Sequence, residues 1–415
     1  MSIKTKVINS WPAGVSNIAP DNALTKDQYG RTIGLRDAVN VDVLTSGKLR
    51  RRNGLRQIIS EPNAHSLYAF GSMMIWATPT ALKVKLNGVI TTVIASVNLV
   101  NPISYVTVNG RTYWSNEAIN GIINLDGTYE PWGIVPPTTA PNLMSTSGRF
   151  MYQVTCTFVT ATGEESGAPL AAQITTGEIP SIGVFNIPQS ADSRVVATRL
   201  YATNTDDGIF NHVMDVPAGI TIATLSGFFD GGAVLKTQFM QPPPPGQFVE
   251  YNNGIIIIAS GNNIALTRPL QYGLHDPIED FFMYSERVTM LKGVPDGVYV
   301  SADQIYFLPS IGTDQVTQVQ TLVAHAIEGA ACTLPDTEDV MFVTDRGFVL
   351  AGAGGQVKNI TDSMLAIDLY PRGAMGYVEH NGHKQVIAIF ADGKDNPAVS
   401  EDFRAGDKLR KAARV

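Results

Sequence analysis

The chain has 415 residues, a formal net charge of −7 and 44% hydrophobic residues, which is enough for two or three hydrophobic cores. Charged residues make up only 16% of the chain, below the roughly 25% usual in soluble domains, which suggests that much of the surface is covered by partners. Purely apolar stretches such as residues 255–259 are far too short to cross a bilayer, and the start of the chain lacks the apolar core of a signal peptide. We therefore expect no membrane-spanning segment and a product made in a reducing cytoplasm.

The charge is divided unevenly along the chain. Residues 1–60 contain 10 Lys and Arg against 4 Asp and Glu, whereas residues 61–390 contain 14 against 28. A basic N-terminal arm thus precedes an acidic body, and such asymmetry usually concerns partners or assembly rather than fold.

The first 60 residues are predicted to form an extended arm followed by the first strands. Pro12, Gly14, Pro20 and Gly30 interrupt any helical period. The first strand pair is predicted over residues 38–44 and 48–58, with its turn at 46–47.

A short phrase then recurs six times: an alternating apolar run, a tight polar turn and a second apolar run. Its turns begin at residues 71, 109, 252, 302, 345 and 381, in steps of 38, 143, 50, 43 and 36 residues. Four of these steps match the length of one four-stranded blade of a β-propeller, and the fifth leaves room for an inserted domain. We expect an all-β protein, a β-propeller of about five or six blades, whose two parts are residues 61–142 and 242–390.

The long step contains a different pattern, predicted to be an inserted domain over residues 143–241. About seven short strands in roughly 95 residues are typical of an immunoglobulin or fibronectin-III-like β-sandwich. Four consecutive prolines, 242–245, close the insertion as a stiff spacer. Residues 391–415 form a C-terminal tail in which a short helix over 400–415 is weakened by Gly406.

Acidic clusters are the first candidates for chemistry, because some propellers are glycosidases. Such an enzyme needs two carboxyl groups facing each other across a cleft, one protonated and one ionised. Closeness in sequence does not supply that geometry, so we expect no catalytic residues. The clusters are Asp276, Glu279 and Asp280, and Asp336, Glu338 and Asp339.

Other reactive groups are too few or wrongly spaced to indicate a cofactor or a metal. His380 and His383 flank a predicted turn without a third ligand. The glycine-rich residues 352–355 lack the lysine and helix of a phosphate loop. Cys156 and Cys332 lie far apart and form neither a disulfide pattern nor a thiolate site.

The one dense run of positive charge supplies the candidate assembly contacts. On a strand its members alternate between two faces. Three interpretations stay open: phosphate binding, a charged strand edge that prevents mispairing, and a salt-bridged contact with an acidic neighbouring subunit. The residues are Lys48, Arg50, Arg51, Arg52 and Arg56.

Two nearby motifs resemble the opening of tail proteins from short-tailed bacteriophages. One is Gly14-Val15-Ser16-Asn17, and the other is Ala38-x-Asn40-x-Asp42 followed by Gly47-Lys48-Leu49-x-x-Arg52-x-Gly54. Asn53 stands where proline is common in such proteins.

The resemblance implies a tail nozzle, a β-propeller ring that is usually built from six copies. It also implies a place below the portal and adaptor proteins, with tail fibres or tail-tip proteins beside or below, in the virion. Phage DNA would pass through the lumen without sequence-specific binding, and an acidic wall would keep the passage slippery. The alternatives are a head-completion or stabilisation protein, or a carbohydrate-binding or carbohydrate-cleaving propeller that acts in host recognition.

Overall fold

The computed structural model describes residues 10–25, 33–39, 41–44, 46–51, 57–205, 207–313, 316–361, 364–367, 370–380 and 383–391. The prediction of an all-β protein is confirmed: the described residues form 31 strands, one four-residue helix, α1 (Asp21–Leu24), and one 3-10 turn. None of the helices in these ranges is long and apolar enough to cross a membrane. The predicted tail helix over 400–415 lies outside the described residues, as do Arg52 and Arg56.

The N-terminal half begins with a hairpin and two four-stranded antiparallel sheets. The hairpin contains β1 (Val41–Val43) and β2 (Leu49–Arg51). The first sheet contains β3 (His65–Phe70), β4 (Met73–Thr78), β5 (Ala81–Leu86) and β6 (Val89–Ala95). The second contains β7 (Ser104–Val108), β8 (Arg111–Ser115), β9 (Asn120–Ile123) and β10 (Tyr129–Glu130). In both sheets the strands are neighbours in chain order, the up-and-down order of a propeller blade.

Seven further strands form two sheets that differ from the rest. They are β11 (Asn142–Ser145), β12 (Phe150–Thr160), β13 (Ala172–Thr176), β14 (Ser181–Phe185), β15 (Val195–Ala202), β16 (Asn211–Pro217) and β17 (Ile222–Ser226). The three-stranded sheet has the order β11-β14-β17 and the four-stranded sheet the order β13-β12-β15-β16. Both contribute buried residues to one core, among them Tyr152, Ile182 and Leu200.

The strand order of this pair of sheets is not that of an immunoglobulin constant domain. There the first two strands, A and B, are neighbours in one sheet, whereas here β11 pairs with β14. If β11 takes the place of strand B, then β12, β13, β15 and β16 take those of C, C′, F and G. Strand β14 takes the place of strand E, and strand A has no counterpart. Strand β17 lies beside β14, where strand D would lie.

Three more four-stranded sheets with sequential order and a final hairpin follow. The first contains β18 (Phe248–Asn252), β19 (Ile255–Ser260), β20 (Asn263–Leu266) and β21 (Phe281–Met283). The second contains β22 (Met290–Val294), β23 (Gly297–Ser301), β24 (Ile305–Pro309) and β25 (Val319–Leu322). The third contains β26 (Ala326–Thr333), β27 (Val340–Thr344), β28 (Gly347–Ala351) and β29 (Val357–Asn359), and the hairpin contains β30 (Arg372–His380) and β31 (His383–Ala391).

The repeated phrase does not occupy the same place in every sheet. The copies at β3–β4, β7–β8 and β18–β19 are the first hairpin of their sheets, whereas those at β23–β24 and β27–β28 are the second. This difference explains the long step of 50 residues between two of the turns. The second strands of the last three sheets begin at Ile255, Gly297 and Val340, which are 42 and 43 residues apart.

The chain divides into two compact units. One contains Met1–Leu67, Trp76–Thr80 and Tyr284–Val415, and the other contains Tyr68–Ile75 and Ala81–Met283. In the first unit, the sheets β22–β25 and β26–β29 share a core that includes Tyr299 and Phe342, and β26–β29 shares a second core with the β30–β31 hairpin.

In the second unit, the sheets on either side of the seven-stranded segment pack on each other. Tyr113 and Trp132 from one side and Ile256 and Ile258 from the other belong to one buried cluster. Strands β7 and β18 are separated by more than 130 residues of chain, so the segment 142–226 interrupts a continuous packing of neighbouring sheets.

Candidate functional site

The basic run lies on the small hairpin of β1 and β2. The two strands pair in antiparallel register, with Asp42 opposite Arg50 and Val43 opposite Leu49. The turn is closed by Gly47, whose backbone N–H donates to the Leu44 carbonyl at 2.7 Å and whose φ of +75° is in the region that favours glycine.

The cations on this hairpin do not form one patch. Arg50 Nη2 lies 3.8 Å from Asp42 Oδ2, and the Asp42 side chain is only 8% exposed, so part of this charge is used within the hairpin. Lys48 and Arg51 are exposed, and within the described residues neither has an ionic partner. Because strand residues alternate in direction, these two side chains lie on opposite faces. The hairpin therefore offers two separate cations to a partner.

The N-terminal segment packs against the turn of this hairpin. The Trp11 backbone N–H donates to the Gly47 carbonyl at 2.7 Å, and the Ser10 hydroxyl donates to the Ser46 carbonyl at 3.0 Å. A side chain at position 47 would overlap the Ser10 hydroxyl and approach the Pro12 nitrogen within 2.9 Å. Glycine is thus required at this position for two reasons: a side chain would clash with the N-terminal segment, and the backbone has a positive φ.

The Gly14–Asn17 motif is also fixed in place. The Asn17 amide side chain donates to the Ala366 carbonyl and accepts from the Ala366 N–H, both at 2.8 Å, while the Asn17 N–H donates to the Met364 carbonyl at 3.1 Å. Within the first unit, the part of the predicted arm that begins at Ser10 is therefore bound to residues far along the chain.

The first acidic cluster surrounds a single arginine. Arg268 approaches Asp276 at 2.9 Å, Asp280 at 3.1 Å and Glu279 at 3.8 Å. Burial raises the pKa of Asp280 above its usual range, although Arg268 opposes this effect. The arrangement gathers the three carboxylates around one guanidinium instead of placing two of them across a cleft.

The second acidic cluster and the glycine-rich loop also have partners within the chain. Asp336 accepts a hydrogen bond from Lys384 Nζ at 2.6 Å, and this contact lowers the pKa of Asp336. In the loop, the Gly354 N–H donates to Asp296 Oδ2 at 2.6 Å. The group bound by the loop is therefore a carboxylate of the same unit.

The remaining reactive groups are not brought together. Burial raises the pKa of the Cys156 thiol to about 12 and that of Cys332 to about 11, and both thiols are free. His380 and His383 are paired through their backbones in the last hairpin, but their side chains lie outside the described residues. No group of three metal-ligating side chains occurs among the described residues.

An ionic cluster that no sequence pattern indicates joins the seven-stranded segment to the sheet before it. We call this cluster, formed by Arg111, Glu130, Asp192 and Arg194, the 130–194 clamp. Glu130 Oε2 lies 2.6 Å from Arg111 and 3.6 Å from Arg194, and Arg194 lies 2.6 Å from Asp192. Arg194 Nη2 also donates to the Gly133 carbonyl at 2.8 Å. No local pattern in the sequence could indicate a contact between residues this far apart.

No family model and no curated protein matches the chain. Solved structures show weak similarity. BBS1N in complex with ARL6DN has a TM-score of 0.33 at 12% identity, over 81% of this chain and 91% of that one. The Pan2 WD40 domain of Neurospora crassa has 0.30 at 8%, over 79% and 85%, and BamB from Moraxella catarrhalis has 0.26 at 12%, over 79% and 93%. At these scores the similarities carry no argument about function or partners.

Proposed function

We propose that the chain is a structural subunit of a short-tailed phage tail, the nozzle, in which about six copies form a ring. The ring attaches below the portal and adaptor proteins, receives fibres or tail-tip proteins beside or below it, and conducts DNA during ejection. The protein acts in the virion and catalyses no reaction.

The observation that carries this proposal is the structural role of the residues that give the resemblance. Asn17 holds residues 364–366, Gly47 allows close approach of the N-terminal segment, and Asp42 pairs with Arg50. The two motifs thus form one local framework within a single unit. The motifs that carry the sequence resemblance therefore have a physical role, because their residues hold this framework together.

The sheets support a propeller as the body of the subunit. Five sheets have four strands in sequential order, and the β30–β31 hairpin packs against the last of them. We infer a propeller of five complete blades with this hairpin as part of a sixth. We also infer that residues 143–241 are an insertion that resembles an immunoglobulin domain, because its two sheets share a core of their own.

Exposed apolar side chains support burial of the surface in an assembly. In the part of the chain that the structure describes, thirteen large apolar residues expose three fifths or more of their area, among them Ile58, Leu170 and Leu270. Single exposed apolar residues are ordinary, but this number occurs in a chain with only 16% charged residues. Interfaces with other copies and with tail proteins would cover such side chains.

Electron microscopy of the purified protein tests the proposal. We expect discrete rings in negative stain and no binding on a glycan array. A monomer that cleaves a glycan, with turnover lost in Asp276→Asn or Glu279→Gln, would contradict it and favour the carbohydrate-cleaving alternative. Binding of a glycan without turnover, by a monomer, would also contradict it and favour a recognition protein.

A further inference from the structure

The three-stranded sheet of the seven-stranded segment ends in an unpaired edge strand. Strand β17 pairs with β14 on one side, in unbroken register from Ile222 opposite Phe185 to Ser226 opposite Ser181. In the sheet order β11-β14-β17, no strand of the described residues lies on its other side.

The free edge presents main-chain hydrogen-bonding groups. The Gly227 N–H donates to the Pro180 carbonyl at 3.2 Å, which continues the β14–β17 register by one residue. In an antiparallel ladder, alternate residues point their N–H and C=O groups to the same neighbour, so Leu225 also bonds towards β14. The groups of Thr224 and Ser226 therefore point away from β14, towards solvent.

Among the described residues, the outward positions of the three strands of this sheet carry no charged side chain. The alternation of buried and exposed residues places eight uncharged residues on this outer face, and Met144 and Ile222 are 62% and 60% exposed. The eight are Asn142, Met144, Ser181, Gly183, Phe185, Ile222, Thr224 and Ser226.

The four-stranded sheet of the same segment differs from this face. Its outer side carries Arg199, which bonds to both carboxylate oxygens of Asp215 at 2.8 and 3.0 Å. The Tyr201 hydroxyl donates to Glu165 at 2.7 Å on the same side. Of the two sheets of this segment, the three-stranded sheet is therefore the one whose outward strand residues are uncharged.

The other edges of the segment have contacts within the chain. The start of the outer edge of β16 is bonded by residues 233–235, through the His212 N–H to the Ala233 carbonyl and the Leu235 N–H to the Phe210 carbonyl, both 2.9 Å. The edges of β11 and β13 meet, with the Ser145 hydroxyl donating to the Thr175 carbonyl at 3.1 Å.

The last strands of the four-stranded propeller-type sheets have the features that prevent edge pairing. Strands β10 and β21 have two and three residues, and β29 has three with Lys358 at its centre. Strands β6 and β25 join their sheets through irregular register. Strand β17 has five uncharged residues, no proline and no register shift, so it lacks each of these devices.

We propose that β17 is a docking edge that accepts an extended, uncharged strand from another protein chain. Main-chain hydrogen bonds to Thr224 and Ser226 would give affinity, and the uncharged face would select side chains without charge. Residues 392–415 of the chain itself carry eleven charged side chains, so the tail does not fit this face. The proposal is independent of the nozzle assignment.

Titration of the whole protein with a strand peptide tests this edge. The probe is a capped heptapeptide of alternating threonine and valine, and its control has lysine in place of threonine. Amide resonances of Ile222, Thr224 and Ser226 should shift saturably with the uncharged peptide and at least tenfold more weakly with the lysine peptide. The Thr224→Pro substitution removes only an outward N–H, so it should weaken binding at least tenfold, whereas Thr224→Val should not.

A second variant keeps the test decisive if Thr224→Pro fails to fold. Thr224→Lys leaves the backbone intact and puts a charge on the face, and it should also weaken binding at least tenfold. Equal binding of the peptide to the folded variants and the native protein would overturn the proposal. Absence of saturable binding would overturn it too. Self-association through β17 that Thr224→Lys abolishes would also overturn it, because a second copy of the chain would then occupy the edge.

Discussion

Arg194 contacts three groups in the second unit through one guanidinium. It bonds to Asp192 before β15, to the Gly133 carbonyl after β10, and approaches Glu130 at 3.6 Å. The Arg194 side chain is mostly buried, so its loss would remove hydrogen bonds from the partly buried Asp192 carboxylate and from the Gly133 carbonyl.

We expect Arg194→Ala to lower the free energy of unfolding by about 1–3 kcal/mol, the usual cost of losing hydrogen bonds to charged groups. Thermal or urea denaturation followed by circular dichroism measures this change. Lys236→Ala, at an exposed cation in the same unit, is the matched control and should change stability by less than about 0.5 kcal/mol. Equal stability of the two variants would show that the 130–194 clamp contributes nothing.

The clamp should also depend on pH. Hydrogen bonds from Arg194 lower the pKa of Asp192 below its ordinary value of 3.8. A carboxylate with a lowered pKa contributes stability that is complete above the ordinary value and is lost as the pH falls through the folded value. The difference in stability between the native protein and Arg194→Ala should therefore be constant from pH 5 to 7 and shrink below about pH 4. A difference that grows on acidification would contradict this account.

Gly47 and Gly71 offer a matched test of close approach, because both have positive φ but different surroundings. A side chain at 47 would overlap the Ser10 hydroxyl, whereas nothing lies within 4 Å of one at 71. Gly71→Ala should cost about 1 kcal/mol from backbone strain alone. Gly47→Ala should cost more and should expose the N-terminal segment to limited proteolysis. Identical proteolysis of the two variants would show that the segment does not depend on contact with the turn.

Single residues were the hardest part to predict from the sequence. The charges at Lys48, Arg50 and Arg51 were visible, but the pairing of Arg50 with Asp42 depends on strand register. The roles of Asn17 and Arg194 depend on partners that are distant in sequence, and a local pattern contains no information about them.

At the scale of elements, the hairpins were predictable because their turns carry their own chemistry. Asn109 and Asn253 have positive φ beside a glycine, as tight hairpin turns require, and both turns join the strands expected around them. Strand β11 has no such signal, because four residues between prolines and small polar residues show too short an alternation. Its pairing with β14 is set by the tertiary fold.

The seven-stranded segment should be removable as an element. The chain that leads to it and the chain that follows it come close together, since a side chain at Gly133 would lie 3.1 Å from the Pro242 Cβ, and the sheets on either side already share a core. Replacing residues 143–241 with a short glycine–serine linker should leave a folded protein with a cooperative transition. Circular dichroism and calorimetry would measure this. A product without cooperative unfolding would show that the segment is part of the fold it interrupts.

At the scale of the whole molecule, the proposed ring would account for the charge distribution. Residues 1–60 carry an excess of six positive charges and residues 61–390 an excess of fourteen negative charges. In a ring of identical copies, cations such as Lys48 and Arg51 of one subunit would face acidic surface on the next. Contacts of this kind weaken with salt, because exposed charges are screened beyond about 8–10 Å at ordinary ionic strength.

Counting the copies in the assembled protein tests the central claim most directly. Mass photometry at low salt should find a species of about six times the 44.6 kDa chain. The double variant Lys48→Glu, Arg51→Glu should shift it towards smaller species, whereas Lys358→Glu with Lys236→Glu, the same charge change at other exposed lysines, should not. A native protein that remains monomeric at all concentrations, or a ring that the two double variants weaken equally, would contradict the account.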